Sequence, residues 1–453
     1  MAHTLQKVKT INLIQWLSYV LILCTVCSLT LVFSHSWPNG LSMTKLFLLD
    51  GTPYNADSWG PMISALKYIK GNLGDDVYDA LFLKGVKFQY PLTSLLLFDL
   101  PSKFTGLSYD QLIVLFNLIS RISVFGTALL TAHLLLQVLK RAKGLPAQVK
   151  PYNPVVLYGL VMLLTLMFYP LIQSYLLGQI QTLLTFLTTL AILCWLQNRK
   201  VAVGIIIGFI CLIKPQLGLL LVWALLRREW KMFIPAAVVV SIFGAISLAM
   251  YGFKLNFEYF SVLSYLSHHG ESYYVNQSVN GLMNRITFNG ANLEWDQKFP
   301  AYSPLVYYVT LVSSLAFIGY GLFAGIKNRK PHVIEFCLAI MCITMASPIA
   351  WEHHYAILLP IFVVMSPFVC YYYQNSRKSL LLLAFGFLLI TEYFEFVKVT
   401  ADTPFNFLQS YLFFGACIML YYLAAVAKKI TTPGPVEVPY FTPDQLKKEE
   451  VYA

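Results

Sequence analysis

Residues 201–226 read VAVGIIIGFICLIKPQLGLLLVWALL and lie between two basic pairs, Arg199–Lys200 and Arg227–Arg228. A single helix of this length would cross a bilayer with some tilt. It would then place the two pairs on opposite faces, against the tendency of Lys and Arg to collect on the cytoplasmic side. Two crossings of about 13 residues would each rise only about 20 Å. Lys214-Pro215 resolves the conflict, because proline disrupts a helix and non-helical backbone at membrane depth survives where it lines a polar cavity. The stretch therefore predicts a hairpin of short helices with Lys214 turned into a cavity. The alternative is one ordinary span with Lys214 snorkelling to an interface.

Working outward, apolar runs begin near Asn12, Leu112, Pro154, Gln181, Met232, Leu305, Val333, Tyr355, Ser379 and Asn406. Basic residues punctuate them at Lys140–Arg141–Lys143, Lys231, Lys327–Arg329–Lys330, Arg377–Lys378 and Lys428–Lys429. Placing every basic cluster in the cytoplasm, with the hairpin included, predicts roughly twelve membrane-entering helices with both termini inside. The expected class is an all-α polytopic membrane protein. Four polar stretches then fall outside: Ser34–Tyr109, Tyr169–Gln181, Gly252–Ser303 and Ser347–His354, with a smaller fifth around Lys398–Phe405. The chain reads as one integral membrane domain over residues 1–430. The large outer loops are 34–109 and 252–303, and residues 431–453, with mixed charge and proline, read as a disordered cytoplasmic tail.

Composition agrees. Of 453 residues 58% are hydrophobic and only 12% charged, against about 25% charged in soluble domains. The mean hydropathy is +0.64. The excess of 32 Lys+Arg over 21 Asp+Glu is explained by the positive-inside pattern, which removes the argument for a nucleic-acid partner. The eight cysteines fall within apolar runs and lack metal-ligand spacing with histidine, so they read as small core hydrophobes. The N-terminal run is too long for a signal-peptide core and reads as a retained span.

The outer stretches carry the polar chemistry. In the first, Asp57 and Ser58 precede Trp59, Met62, Ile63, Leu66 and Ile69 at helical spacing, which predicts an amphipathic helix lying in the interface plane. Asp57 has two readings, a helix N-cap or a carboxylate held at the surface as a general base. A second apolar stretch, Phe88 to Phe104, is expected to hug the interface as well. The 252–303 loop contains HHGESYYVNQSVNGLMNR, rich in amides beside aromatics, as sugar hydroxyls and ring faces require; Asn276-Gln277-Ser278 also matches a glycosylation sequon. In SPIAWEHHY, Glu352, His353 and His354, with His268 and His269, are conceivable metal ligands. Adjacent histidines on a helix point about 100° apart, so a single imidazole donating to a phosphate or sugar oxygen is the favoured reading. Arg121 inside an apolar run is costly unless it meets a cavity or partner.

In order along the chain, Asp57, Phe88-Gln89-Tyr90-Pro91, Gly178-Gln179, Lys214-Pro215, Asn276-Gln277-Ser278 with Arg285, and Ser347-Pro348-Ile349-Ala350-Trp351 followed by His353-His354 resemble glycosyltransferase family 87 of the GT-C superfamily. Leu92 stands where the family often has a second proline, and Ser58-Trp59-Gly60 replaces its usual aromatics. The resemblance implies a GT-C fold and an extracytoplasmic active site in a bacterial inner membrane. It implies inverting transfer of a hexose, with mannose as the family's best-known sugar, from a polyprenyl-phosphate donor to a lipid-linked or glycolipid acceptor. It assigns Asp57 as the base. Lys214, Arg285, His353 and His354 are then expected at the donor phosphate. Gln179, Asn276, Gln277, Trp351 and Tyr90 are expected around the sugar or acceptor, with no metal and no cofactor. The rival readings are a lipid-glycan flippase or transporter, which would also use broken helices and a buried cation, and an oligosaccharide ligase.

Overall fold

The computed structural model describes residues 12–34, 36, 38–71, 76–142, 145, 149, 153–294, 299–328 and 331–431. Lys143, Asp75, Arg329, Lys330 and the tail from residue 432 lie outside the described residues. The first span, α1 (Leu13–Phe33), is followed by three loop helices, α2 (Gly40–Leu49), α3 (Trp59–Gly71) and α4 (Val77–Leu83). A short 3-10 turn then runs into α5 (Leu96–Thr105) and the long α6 (Tyr109–Arg141). Next come α7 (Pro154–Leu166), α8 (Tyr169–Leu176), α9 (Gln181–Leu196), α10 (Lys200–Cys211) and α11 (Leu219–Leu226). The remainder is α12 (Trp230–Tyr251), α13 (Phe253–His269), α14 (Val279–Ile286), α15 (Pro304–Phe323), α16 (Val333–Met345), α17 (Leu358–Tyr372), α18 (Arg377–Thr391) and α19 (Tyr411–Thr431). Among the described residues there is no β-strand, only an isolated bridge between Asn276 and Trp351.

Six helices are long and apolar enough to cross a membrane: Leu13–Phe33, Tyr109–Arg141, Trp230–Tyr251, Pro304–Phe323, Glu352–Tyr372 and Asn406–Thr431. The pair α7 and α8, bent by 54°, makes a seventh if it counts as one span. Their outward faces are apolar: Val114, Ile122, Ile234, Ile242, Val312 and Leu315 are all more than half exposed. A surface of that kind is tolerated where lipid replaces water, so this is an integral membrane protein. The α17 span is the opposite case. It is 89% buried and forms the centre of the bundle.

The hairpin expected over 201–226 is present. The helix stops at Cys211, Leu212 to Lys214 are non-helical, and a 3-10 turn from Pro215 leads into α11. Lys200 Nζ lies 3.9 Å from Glu229 Oε1, so the two ends of the segment meet in space. A 12-residue α10 rises only about 18 Å, which leaves the Lys214 break within the depth of the bundle. Gly204 and Gly208 set α10 backbone-to-backbone on α12: a Cβ at Gly204 would stand 2.2 Å from the Met232 carbonyl oxygen. Small residues at this spacing allow such approach in membrane helices.

The hairpin ends also fix one end of the bundle as basic. Arg141 Nη1 donates to the Leu196 carbonyl at 3.3 Å, and Arg227 Nη1 to the Leu322 carbonyl at 2.6 Å. The first-loop helix α3 exists, but its apolar face turns into the protein rather than to an interface. Trp59 and Met62 are buried, Trp59 stacks on Phe116 at 5.5 Å, and its Nε1 donates to Asn117 Oδ1 at 2.9 Å. Burial against α6 captures more apolar area than a half-immersed position would. The stretch from Phe88 behaves likewise, with Phe88, Leu92, Leu95 and Phe98 buried.

Candidate active site

The segment before α3 is held as an extended strip along the turn after α8. Tyr54 N donates to Leu176 O at 2.9 Å, Asp57 N to Leu177 O at 3.0 Å and Ser58 N to Gly178 O at 3.3 Å. Gly178 makes this approach possible. Its φ is +63°, and a Cβ there would lie 2.4 Å from the Asn55 carbonyl oxygen. The strip places Asp57 against Gln179, whose Nε2 donates to Asp57 Oδ2 at 3.3 Å. Ser58 Oγ donates to Gln179 Oε1 at 2.8 Å and accepts from Ile180 N at 3.0 Å. Its single proton is thereby used, so the 2.8 Å contact with Tyr90 is donated by the Tyr90 hydroxyl. The chain of bonds fixes the amide orientation of Gln179 and keeps its N–H groups toward the carboxylate.

Asp57 caps nothing by these contacts. Burial holds its carboxyl up at about 6, with the hydrogen bonds from Gln179 and Asn55 pulling the other way. A carboxylate raised into that range is suited to taking a proton near neutral pH. Substituting Gly178 by Ala is expected to push the 54–58 strip off the turn and lower turnover by about 100-fold with little change in helix content, since misplacing a reacting group by about 1 Å has that effect. Initial-rate assays beside circular dichroism check it.

Lys214 is buried, and its Nζ donates to Gln181 Oε1 at 2.7 Å. No ion pair among the described residues involves it. The Lys214 ammonium is an electrostatic neighbour of both His353 and His354. The two imidazoles lie edge to face, 4.6 Å between centroids, and Trp351 packs on His353 at 5.6 Å. His353 is buried and His354 half-buried.

The amides of the 252–303 loop serve the fold. Asn276 Nδ2 donates to Glu271 O (2.9 Å) and Pro348 O (3.1 Å), and its Oδ1 accepts from Ala350 N at 2.9 Å. Gln277 Nε2 donates to Tyr274 O (2.7 Å) and Gln409 O (2.8 Å), with Oε1 accepting from Phe413 N at 3.2 Å. Arg285 is fully buried and donates to the carbonyls of Ser272, Tyr273 and Asn276 and to Ser410 Oγ. Asn276 thereby braces the 271–278 loop against the 347–351 turn, and Gln277 and Arg285 tie the same loop to residues 409–413. The buried Asn276 sequon offers no surface for a glycan. Replacing Asn276 by Ala strands the Glu271 carbonyl and the Ala350 N–H, while Pro348 O keeps Ser278 Oγ, and is expected to remove about 3 kcal/mol of stability, visible as a lowered midpoint of thermal unfolding in detergent.

Sequence reasoning missed Glu271 and Lys87. Their salt bridge is 2.9 Å and almost fully buried, and the second oxygen of Glu271 accepts from Trp351 Nε1. This ties the Tyr90 stretch to the Trp351 turn. The signal was an acid within the amide-rich loop and a base two residues before Gln89. Ser58 and Gln181 were missed too, each beside a residue that had been singled out. Tyr54 and Tyr273 each lie near enough to both Asp57 and Glu352 to feel their charge, so the strip and the turn face one region. Arg121 sits over the Phe47 ring at 5.9 Å, beneath the turn that Tyr175 anchors through Gly51 O. His268 and His269 lie elsewhere, at the end of α13, and no group of three metal-binding side chains occurs among the described residues.

The matched pattern of glycosyltransferase family 87 extends over residues 88–350, more than half of the chain. The chain belongs to that family. This family 87 protein is thus a membrane glycosyltransferase. The match holds Tyr90, Gln179, Lys214, Asn276, Gln277 and Arg285, while Asp57, Trp351, His353 and His354 lie beyond its ends. No curated protein matches the chain.

Proposed function

We propose that this glycosyltransferase moves a hexose, with mannose the first candidate, from a polyprenyl-phosphate donor to a lipid-linked or glycolipid acceptor on the extracytoplasmic side of a bacterial inner membrane, with inversion. The observation that carries the reading is the pairing of a raised, oriented Asp57 carboxyl with an unpaired buried cation, Lys214, across one polar region of a membrane bundle. Asp57 takes the proton of the acceptor hydroxyl as that oxygen attacks the anomeric carbon. The bond from the anomeric carbon to the phosphate oxygen breaks, and its electron pair leaves with the lipid phosphate. Negative charge grows on that oxygen in the transition state, where Lys214 and an N–H of His353 or His354 stabilise it most. Gln179 orients Asp57, and Trp351 and Tyr90 border the sugar. Arg285, Asn276 and Gln277 act through the loops they brace. The hairpin break keeps Lys214 buried within the bundle, which suits a donor whose isoprenoid tail stays in lipid. The GT-C architecture, about twelve membrane-entering helices and cytoplasmic termini belong to the same reading.

The test uses the full chain in nanodiscs with radiolabelled polyprenyl-phosphate-mannose and a membrane-lipid extract. Label passing into a new lipid, with EDTA present or absent, supports the reading. Label that stays on the donor but crosses the bilayer of sealed proteoliposomes favours the flippase instead.

A further inference from the structure

Helix α13 leaves the end of α12 remote from Arg227, through Gly252 at φ +81°. Its Leu255, Tyr259, Val262 and Leu266 are buried against the protein. The opposite edge carries Phe253, Phe257, Phe260 and Leu263, exposed by 66%, 48%, 63% and 40%. Phe253 and Phe257 stack at 4.0 Å and Phe257 meets Phe260 at 5.7 Å, so the edge is one continuous aromatic ridge. The helix is apolar on two faces, and the adjoining α12 window is only 17% buried in protein. A ridge continuous with a lipid-facing span meets the outer part of the same leaflet.

At the C-terminal end of α13 lies an open hollow of about 400 Å³, lined by Ser261, Ser264, Tyr265, His268, His269 and Tyr302. His268 Nδ1 lies 2.7 Å from the Ser264 carbonyl oxygen and His269 Nδ1 2.8 Å from that of Pro300. A carbonyl only accepts, so each Nδ1 carries a proton and Nε2 is the ring nitrogen left to face a ligand. Ring nitrogens, serine and tyrosine hydroxyls and aromatic walls, with no Lys, Arg, Asp or Glu among the described residues of the lining, suit hydroxyl groups. A relay of contacts connects the hollow to the Lys87–Glu271 pair. Tyr265 meets Phe299 at 5.4 Å, and Lys87 lies over Phe299 at 4.5 Å while pairing with Glu271.

We propose that Phe253, Phe257 and Phe260 seat α13 in the leaflet reached by the end of α12, and that the hollow beside it binds the hydroxylated headgroup of a sugar-type lipid. The ridge holds the hollow at headgroup level, and the lipid tails lie along the phenylalanines. The inference concerns binding alone and stands apart from the transfer reading.

The full chain is placed in nanodiscs containing a photoactivatable monoglucosyl diacylglycerol, and crosslinked peptides are located by mass spectrometry. Labelling of 261–269 or 299–302 is expected at about tenfold the level given by a phosphatidylcholine probe. Ser264→Leu, which fills the hollow, and His268→Gln, which replaces one of its rings, should each bring it down toward the choline level. Free glucose should not compete. Equal labelling by both probes, or labelling indifferent to both substitutions, would overturn the headgroup site; displacement by free glucose would mean a soluble-sugar site instead. For the ridge, a Phe257→Trp variant should be quenched by doxyl lipids and shielded from acrylamide, and the reverse pattern would sink it.

Discussion

Asp57→Asn is expected to lower transfer by about 100- to 10,000-fold, the range that a positioned general base supplies, with little change in donor binding. Asn keeps the size of the side chain and can still meet Gln179, so the 54–58 strip should stay in place. What it loses is the ability to accept the hydroxyl proton. The wild-type pH profile supplies a second, independent readout. Burial holds the Asp57 carboxyl at about 6, and only the ionised form can act as base. Turnover should therefore rise with pH through about 6, not through the ordinary carboxylate range near 4. Residual turnover in Asp57→Asn should lack that limb. Steady-state rates between acidic and neutral pH, with intact substrates, check both points. A variant retaining the wild-type rate would return Asp57 to a purely structural duty and reopen the choice of base.

How much of this was legible beforehand follows from which physics each feature obeys. The 201–226 hairpin could be read because charge punctuation, helix length and the Lys214-Pro215 break are all local in the chain. The amphipathic pattern behind Asp57 was legible as a helix, but periodicity shows only that one face is apolar, not what covers it. Here Phe116 and Asn117 of α6 cover Trp59, and nothing at residues 59–69 announces them. The amides at 276 and 277 show a different limit. Amide-rich sequence is equally good at binding sugar hydroxyls and at satisfying backbone carbonyls, and the choice depends on distant segments such as Pro348, Ala350 and Gln409. The Lys87–Glu271 pair was hidden for the same reason, because its partners stand far apart in sequence. The Asp57–Gln179 contact was not legible either, since it depends on the strip approaching a turn where Gly178 has a positive φ.

Lys214→Met should lower turnover by about 100-fold or more, the loss typical when one preorganised charge partner of a transition state is removed, while leaving the protein as stable as before within about 2 kcal/mol. The stability half of the claim is what makes the test discriminating. A buried ammonium is costly in the free protein, where Gln181 Oε1 is its hydrogen-bond acceptor, and replacing it by an apolar chain of similar size relieves that cost. Against this, Gln181 Oε1 loses its donor. The two effects oppose each other, so a large fall in activity without a fall in unfolding temperature identifies a group kept for function. Ligand-induced stabilisation gives the mechanism behind the fall. Added polyprenyl phosphate should raise the unfolding temperature of the wild type by mass action and have a much smaller effect on Lys214→Met, whereas Asp57→Asn should respond as the wild type does. If both variants lost the response, the phosphate would be held by the strip rather than by the hairpin break. If neither did, the anion site would have to be sought away from Lys214. A selective loss in Lys214→Met would locate the leaving group at the break in the hairpin, the feature from which the topology of the whole chain was first read.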